Sequence, residues 1–119
     1  MRMNYLKLIQ TLKKDLNTSN IEFETVKFFR KDFVSVWIWF WVLEQYYNNN
    51  NNNNTENIMS EIPNEYASRP TIFKIIDDAV AKNYFKKILN ENDKRKYNLL
   101  PTSQSIKEFE EWSKVFKGF

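Results

Sequence analysis

The chain has 119 residues, with 18 Lys and Arg against 15 Asp and Glu, a formal net charge of +3, and neither cysteine nor histidine. That length makes one domain over 1–119, small enough to gain stability from self-association. Without Cys or His there can be no disulfide, no thiolate or imidazole metal site, and no Ser-His or Cys-His nucleophile pair.

The first element read along the chain is Met3 to Leu16. Leu6, Ile9, Leu12 and Leu16 recur at helical spacing, with Lys7, Gln10, Lys13 and Lys14 on other faces. This is an amphipathic helix. Asn17-Thr18-Ser19-Asn20 reads as a break, and Thr18, Ser19 or Asn20 as a cap for the next element.

Ile21 to Asn48 is the most aromatic part of the chain, with Trp37, Trp39 and Trp41 at its centre. The run Val34 to Leu43 has strong β propensity. Its apolar character nevertheless covers both faces without a turn signal and continues through Glu44-Gln45, which favours a helix. Asp32 can cap a new helix, so 21–31 and 33–47 are either two pieces or one. The tryptophans suit a core or a dimer interface better than a ligand platform.

Asn48 to Asn54 is a run of seven asparagines, read as an expanded loop without chemistry of its own rather than as a prion-like tract. Thr55 to Ile62 then fits a short helix, with Thr55 as cap and Ile58, Met59 and Ile62 facing inward.

Pro70 to Lys82 is the best-marked helix. Ser68 is a good N-cap and Pro70 falls in the first turn. Ile72, Ile75, Ile76, Ala79 and Val80 share one face. Asn83 suits the left-handed conformation after a helix end. Two short strands come next, 84–89 and 96–100, around a polar tip from Asn90 to Arg95. Thr102 or Ser103 opens a last helix, 103–118, with Ile106, Phe109, Trp112, Val115 and Phe116 on a wide apolar face.

Between Ser68 and Thr102 there are eight Lys and Arg against four Asp and Glu, net +4, while residues 1–67 carry seven against eight. The surplus basic charge therefore lies in the helix-and-hairpin unit, as an anionic partner would require; a merely solvated basic face is the other reading.

The order helix, Asn83, hairpin, charged tip is the plan of a winged helix-turn-helix, and the residues carry a resemblance to the MarR family of transcription regulators. That family's recognition helix reads Ser-x-x-Thr-aliphatic-x-x-aliphatic-aliphatic-Asp. Ser68, Thr71, Ile72, Ile75, Ile76 and Asp77 match it. The family's wing carries Asp-x-Arg and, further on, a Leu-Thr pair; Asp93, Arg95 and Thr102 fall in that register. Pro101 replaces the leucine, and Asn83 and Ser105 stand where the family has glycine. The match covers about a third of the chain.

The resemblance implies a mainly α fold with a small two-stranded β wing, the N-terminal helices in 1–47, and a helix-turn-helix over 55–82. It implies a wing over 84–100 and terminal helices forming a dimer interface. Leu6, Ile9 and Leu12 with Phe109, Trp112 and Phe116 suit that interface; closing the monomer's own core is the alternative. The implied function is sequence-specific binding of double-stranded DNA as a regulator. Ser68, Arg69, Thr71, Phe73, Lys74 and Asp77 would lie at the major groove and Arg95 in the minor groove. Asp93 would hold Arg95 or pair with a basic residue of the core, and Lys94 and Lys96 would meet phosphates.

Family members often bind small aromatic acids between the dimer helices and the DNA-binding lobe, but no residue here identifies such an effector. The alternative function is a protein–protein interaction module on the same fold. No catalytic residue, cofactor or metal is assigned. The first twenty residues are too polar for a secretory signal, and the apolar run from Phe33 to Leu43 is shorter than a membrane helix needs. The chain is expected to be cytoplasmic, with no membrane partner.

Overall fold

The structure, a computed structural model, describes residues 4–49 and 54–116. It is mainly helical with one two-stranded antiparallel sheet. The helices before the sheet are α1 (Tyr5–Glu22), α2 (Glu24–Phe29), α3 (Phe33–Tyr47), α4 (Thr55–Glu61) and α5 (Arg69–Ala81). Strands β1 (Phe85–Leu89) and β2 (Tyr97–Pro101) come after them, then α6 (Ser103–Ser113) and a 3₁₀ turn, Lys114–Phe116.

Side-chain caps set most of these boundaries. Asp32 accepts from the Ser35 N–H at 2.8 Å and starts α3, so the aromatic stretch is two helices, α2 and α3, with a break at 30–32. Ser68 accepts from the Thr71 N–H and starts α5. Asn83 takes φ 67° directly after it, which lets the chain reverse into β1. Thr102 caps α6 through Ser105 and also donates to the Asn83 carbonyl at 2.8 Å, tying the start of α6 to the end of α5. Each such cap stabilises its helix by about 1 kcal/mol.

The core is aromatic at its centre. Phe29 of α2 stacks on Trp39 of α3, rings 5.2 Å apart and nearly parallel, and meets Phe85 of β1 at 5.0 Å. Phe109 of α6 approaches Trp39 edge-on at 5.7 Å. Ile72, Ile75, Ile76 and Ala79 of α5 and Ile58 and Ile62 of α4 complete the apolar interior with Leu99 of β2. Trp39 and Trp41 are buried and Trp37 packs beside them, so these tryptophans belong to the core. Trp41 also donates through Nε1 to Glu61. Truncating a ring such as Phe29 would cost roughly 3–5 kcal/mol.

Several boundaries differ from the sequence reading. First, 17–20 is not a break: α1 runs through it to Glu22, and α2 begins after Phe23 without a side-chain cap. Extending a formed helix adds one hydrogen bond per residue, which outweighs the weak propensity penalty of Asn, Thr and Ser. Second, Asn54 caps α4 in place of Thr55, accepting from the Asn57 N–H at 3.1 Å. Asn54 is also buried and bridges Asn98 at the outer edge of β2, so the tract's last residue has a structural task. Third, the strands pair as Phe85↔Pro101 through Leu89↔Tyr97, one residue later in the chain at three of their four ends. Fourth, α6 stops at Ser113 and tightens into a 3₁₀ turn, as helix ends commonly do. The expected helical end at 117–118 and the asparagines at 50–53 lie outside the described residues.

The way α1 attaches is the least expected feature. Among its described side chains the buried one is Asp15, whose carboxylate accepts from Arg30 at 2.7 Å and from Trp112 Nε1 at 2.6 Å. One carboxylate thereby joins α1, the end of α2, and α6. The N-terminal half of the α1 stripe faces away from the protein, with Leu6 68% and Ile9 61% exposed, while Leu12 and Leu16 edge a groove against α3 and α6. Among the described residues, no helix is long and apolar enough to cross a membrane.

Candidate nucleic-acid interface

The α5 stripe that packs into the core dictates which residues remain outside. With Ile72, Ile75, Ile76 and Ala79 buried, Ser68, Arg69, Thr71, Lys74 and Asp77 are exposed, and Phe73 is half-buried at the boundary. From the Asn83 turn, β1 runs back alongside α5. The N-terminal end of α5 and the hairpin tip therefore lie at the same end of the molecule.

Two sets of contacts bind the unit together. Lys87 of β1 reaches Asp77 of α5 at 3.4 Å. Arg69 makes a two-point contact with Glu56 of α4, its longer arm 3.4 Å, while its guanidinium lies over the Phe73 ring at 5.0 Å. Glu56 also feels the positive charge of Lys96 at the hairpin tip. The Arg69 hydrogen bond is the larger effect, and together they hold the Glu56 carboxyl below the usual carboxylate range. Glu56 thus pairs with the start of α5 and lies within electrostatic reach of the hairpin tip.

The tip is built by side chains reaching backbone. Asn90, which is buried, accepts from the Asn92 and Asp93 N–H groups at 2.9 and 3.0 Å, an Asx-type turn. Its amide also donates to Asn98 at 3.0 Å, next to the Asn54 bridge. Asp93 accepts from the Arg95 backbone N–H at 3.1 Å and from its Nε at 3.2 Å. These bonds lower the Asp93 pKa and raise that of Arg95, with the side-chain bond the leading cause in both. Of the two partners expected for Asp93, the arginine is the one it holds. Lys94, Arg95 and Lys96 all project into solvent.

The predicted site residues thus fall into one unit, with different tasks. Arg69, Thr71 and Lys74 present polar groups outward, and Lys94, Arg95 and Lys96 form a cationic tip. Ser68 is a cap, with its hydroxyl 2.9 Å from that of Thr71. Asp77 is engaged with Lys87, and Lys74 pairs with Asp78 at 3.3 Å. Phe73 lies under Arg69.

Sequence reasoning missed Glu56 and Lys87. Strand parity could have found Lys87, because it shares a hairpin face with the core residue Phe85. Nothing local marks Glu56, whose partner Arg69 lies 13 residues away.

Elsewhere, a groove of about 280 Å³ between α1, α3 and α6 is lined by Leu12, Leu16, Trp39, Trp112 and Phe116, with Asp15 and Arg30 in its wall. Tyr47 donates to Glu110 at 2.9 Å; burial first, and then that carboxylate, push the phenol up to about 12.

Comparison with protein-family models, with curated proteins and with solved structures finds no match for this chain.

Proposed function

We propose that the chain is a winged helix-turn-helix protein that binds double-stranded DNA sequence-specifically as a transcription regulator. In this reading α4 and α5 are the helix-turn-helix, α5 enters the major groove, and the β1–β2 hairpin is a wing placing Arg95 in the minor groove. The observation that carries it is the joining of the exposed α5 face and the cationic tip. Arg69 of α5 pairs with Glu56 of α4, Asn54 at the head of α4 bridges Asn98 of β2, and Lys87 of β1 reaches Asp77 of α5, so the helices and the hairpin are tied into one unit. Arg69, Thr71 and Lys74 are the groups offered to base edges. Lys94 and Lys96 are offered to phosphates, which strengthen binding without specifying sequence.

The DNA-binding unit acts as a homodimer in this proposal. The apolar face of α1 supports that reading: Leu6 and Ile9 point away from the chain's own core, and a second copy offers the same face in return.

The test is a selection of targets from random DNA, and then fluorescence anisotropy with the selected and a scrambled duplex at two salt concentrations. The expected result is preference for the target and an affinity that falls as salt rises. Arg95→Ala should weaken both duplexes by similar factors and flatten the salt dependence by about one counterion. Absence of any duplex binding at low salt would overturn the reading in favour of a protein-interaction module.

A further inference from the structure

We propose that a cleft on α3, lined by Trp37, Phe40, Trp41 and Glu44, is a binding site for a quaternary ammonium ion. The site lies on a different element from the proposed DNA surface and does not depend on it.

The four residues stand at i, i+3, i+4 and i+7 along α3, so they share one face of the helix. Together they wall a cleft of about 220 Å³. Trp37 and Trp41 pack with the core and still reach the cleft wall, while Phe40 is 46% exposed. Trp41 is held by its indole N–H, which donates to Glu61 at the end of α4 at 2.5 Å. Glu44 is exposed, and among the described residues its carboxylate makes no ion pair or hydrogen bond.

The sequence around the cleft carries one sign of charge. From Asp32 to Ser68 there are five carboxylates and neither Lys nor Arg, in a chain whose net charge is +3. Three of the five have tasks: Asp32 caps α3, Glu56 pairs with Arg69, and Glu61 holds Trp41. Glu44 is the one that lines the cleft.

That chemistry narrows the ligand. An anion would meet a carboxylate and no cation. A neutral apolar molecule would cover Glu44 without offering its charge a partner. A metal ion would find a single carboxylate among the lining side chains, where hard cations take several oxygen ligands. A primary ammonium would bring three N–H donors to that one carboxylate. A quaternary ammonium has no N–H to satisfy. Its methyl groups suit apolar rings, and its charge is attracted both by aromatic faces and by Glu44.

The experiment titrates choline, and separately its neutral carbon isostere, into isotope-labelled protein at constant ionic strength, and follows the assigned indole N–H signals by NMR. Choline should shift Trp37 and Trp41 saturably. Trp112, whose indole bonds Asp15 in the groove against α1, should stay in place. The isostere should bind about tenfold more weakly, the scale of one desolvated cation–π attraction. Trp37→Leu should weaken choline by a similar factor, and Glu44→Gln by about threefold, as for an exposed ion pair. Glu111→Gln removes the same charge from α6 and should bind choline as the parent does. Thermal unfolding checks each variant. If Trp37→Leu does not fold, the isostere and Glu44→Gln, a surface change of the same shape, still decide the matter.

No saturable shift at Trp37 or Trp41 would overturn the proposal. Equal affinity for choline and the isostere would do so too, because the cleft would then be an apolar hollow indifferent to charge. A shift at Trp112 in place of Trp37 and Trp41 would overturn the placement on α3, and equal losses in Glu44→Gln and Glu111→Gln would overturn the role of Glu44.

Discussion

Helices α5 and α1 are both amphipathic, and they are turned opposite ways. Helix α5 puts Ile72, Ile75, Ile76 and Ala79 into the core and its charged residues into solvent. Helix α1 docks through the carboxylate of Asp15 and leaves Leu6 and Ile9 outside. Among the described residues, the α5 stripe is covered by the rest of the chain and the Leu6–Ile9 face of α1 is not. A polar anchor fixes how α1 attaches, and the face left uncovered is the kind of surface that buries itself against another molecule.

The sharpest way to break the comparison is to remove the anchor. Asp15 accepts from Arg30 and from Trp112, and both its contacts are largely out of water. Asp15→Ala would leave a mostly buried guanidinium without this partner, which typically costs about 3–5 kcal/mol. The melting temperature should fall by roughly ten degrees or more. On α5, Lys74→Ala removes only an exposed pair with Asp78 and should change stability by less than about 0.5 kcal/mol. Thermal unfolding of the two variants side by side measures the contrast, and similar midpoints would mean that α1 is not held by this carboxylate.

The second test concerns the uncovered face itself. Ile9→Asp puts a charge in the middle of the α1 stripe and should convert the proposed two-fold dimer into a monomer at micromolar concentration, with little effect on the midpoint of the isolated subunit. Sedimentation reads it directly. A parent that already sediments as a monomer would mean that α1 presents its apolar face to something other than a second copy.

How much of this was legible in the sequence depends on where each signal resides. Helix α5 was legible almost to the residue because every cue is local: Ser68 as cap, Pro70 in the first turn, the isoleucine stripe, and Asn83 at its end. The hairpin was legible for the same reason, as was the Asp32 cap that splits the aromatic stretch. The polar anchor was not. Asp15 looks like one more polar residue of a helix surface, and its partners lie 15 and 97 residues away. The stripe on α1 said that something must be buried, not against what. Glu56 was hidden likewise, and Asn54 was lost among neighbours identical to it. Residues whose role is set by a distant partner carry no pattern of their own.

On the side proposed to face DNA, smaller effects are expected. Arg69→Ala or Lys74→Ala should weaken the selected target by roughly 1–3 kcal/mol and leave the scrambled duplex almost unchanged, the scale of one bidentate base contact. Anisotropy with both duplexes separates this from the uniform loss expected for Arg95→Ala. Equal losses on both duplexes would make α5 a phosphate-binding rather than a base-reading element.

The smallest effect should come from Glu56, and its sign is informative. A carboxylate beside Arg69 and Lys96 opposes an approaching phosphate, so Glu56→Gln should strengthen binding to any duplex by a few-fold and steepen the salt dependence by about one counterion. The pH dependence has its origin in the same contacts. The Arg69 hydrogen bond lowers the Glu56 pKa, so this carboxyl stays ionised in the folded protein until the pH falls below its ordinary range. The stability it lends is present above the unfolded carboxylate pKa and lost as pH falls through the lowered folded value. Between pH 6 and 8, then, neither stability nor DNA affinity should respond to Glu56, and the ratio of variant to parent affinity should stay flat. A ratio that changes across that window would mean that another group beside Arg69 titrates there, and a variant that binds more weakly than the parent would mean that Glu56 positions Arg69 for DNA rather than opposing its approach.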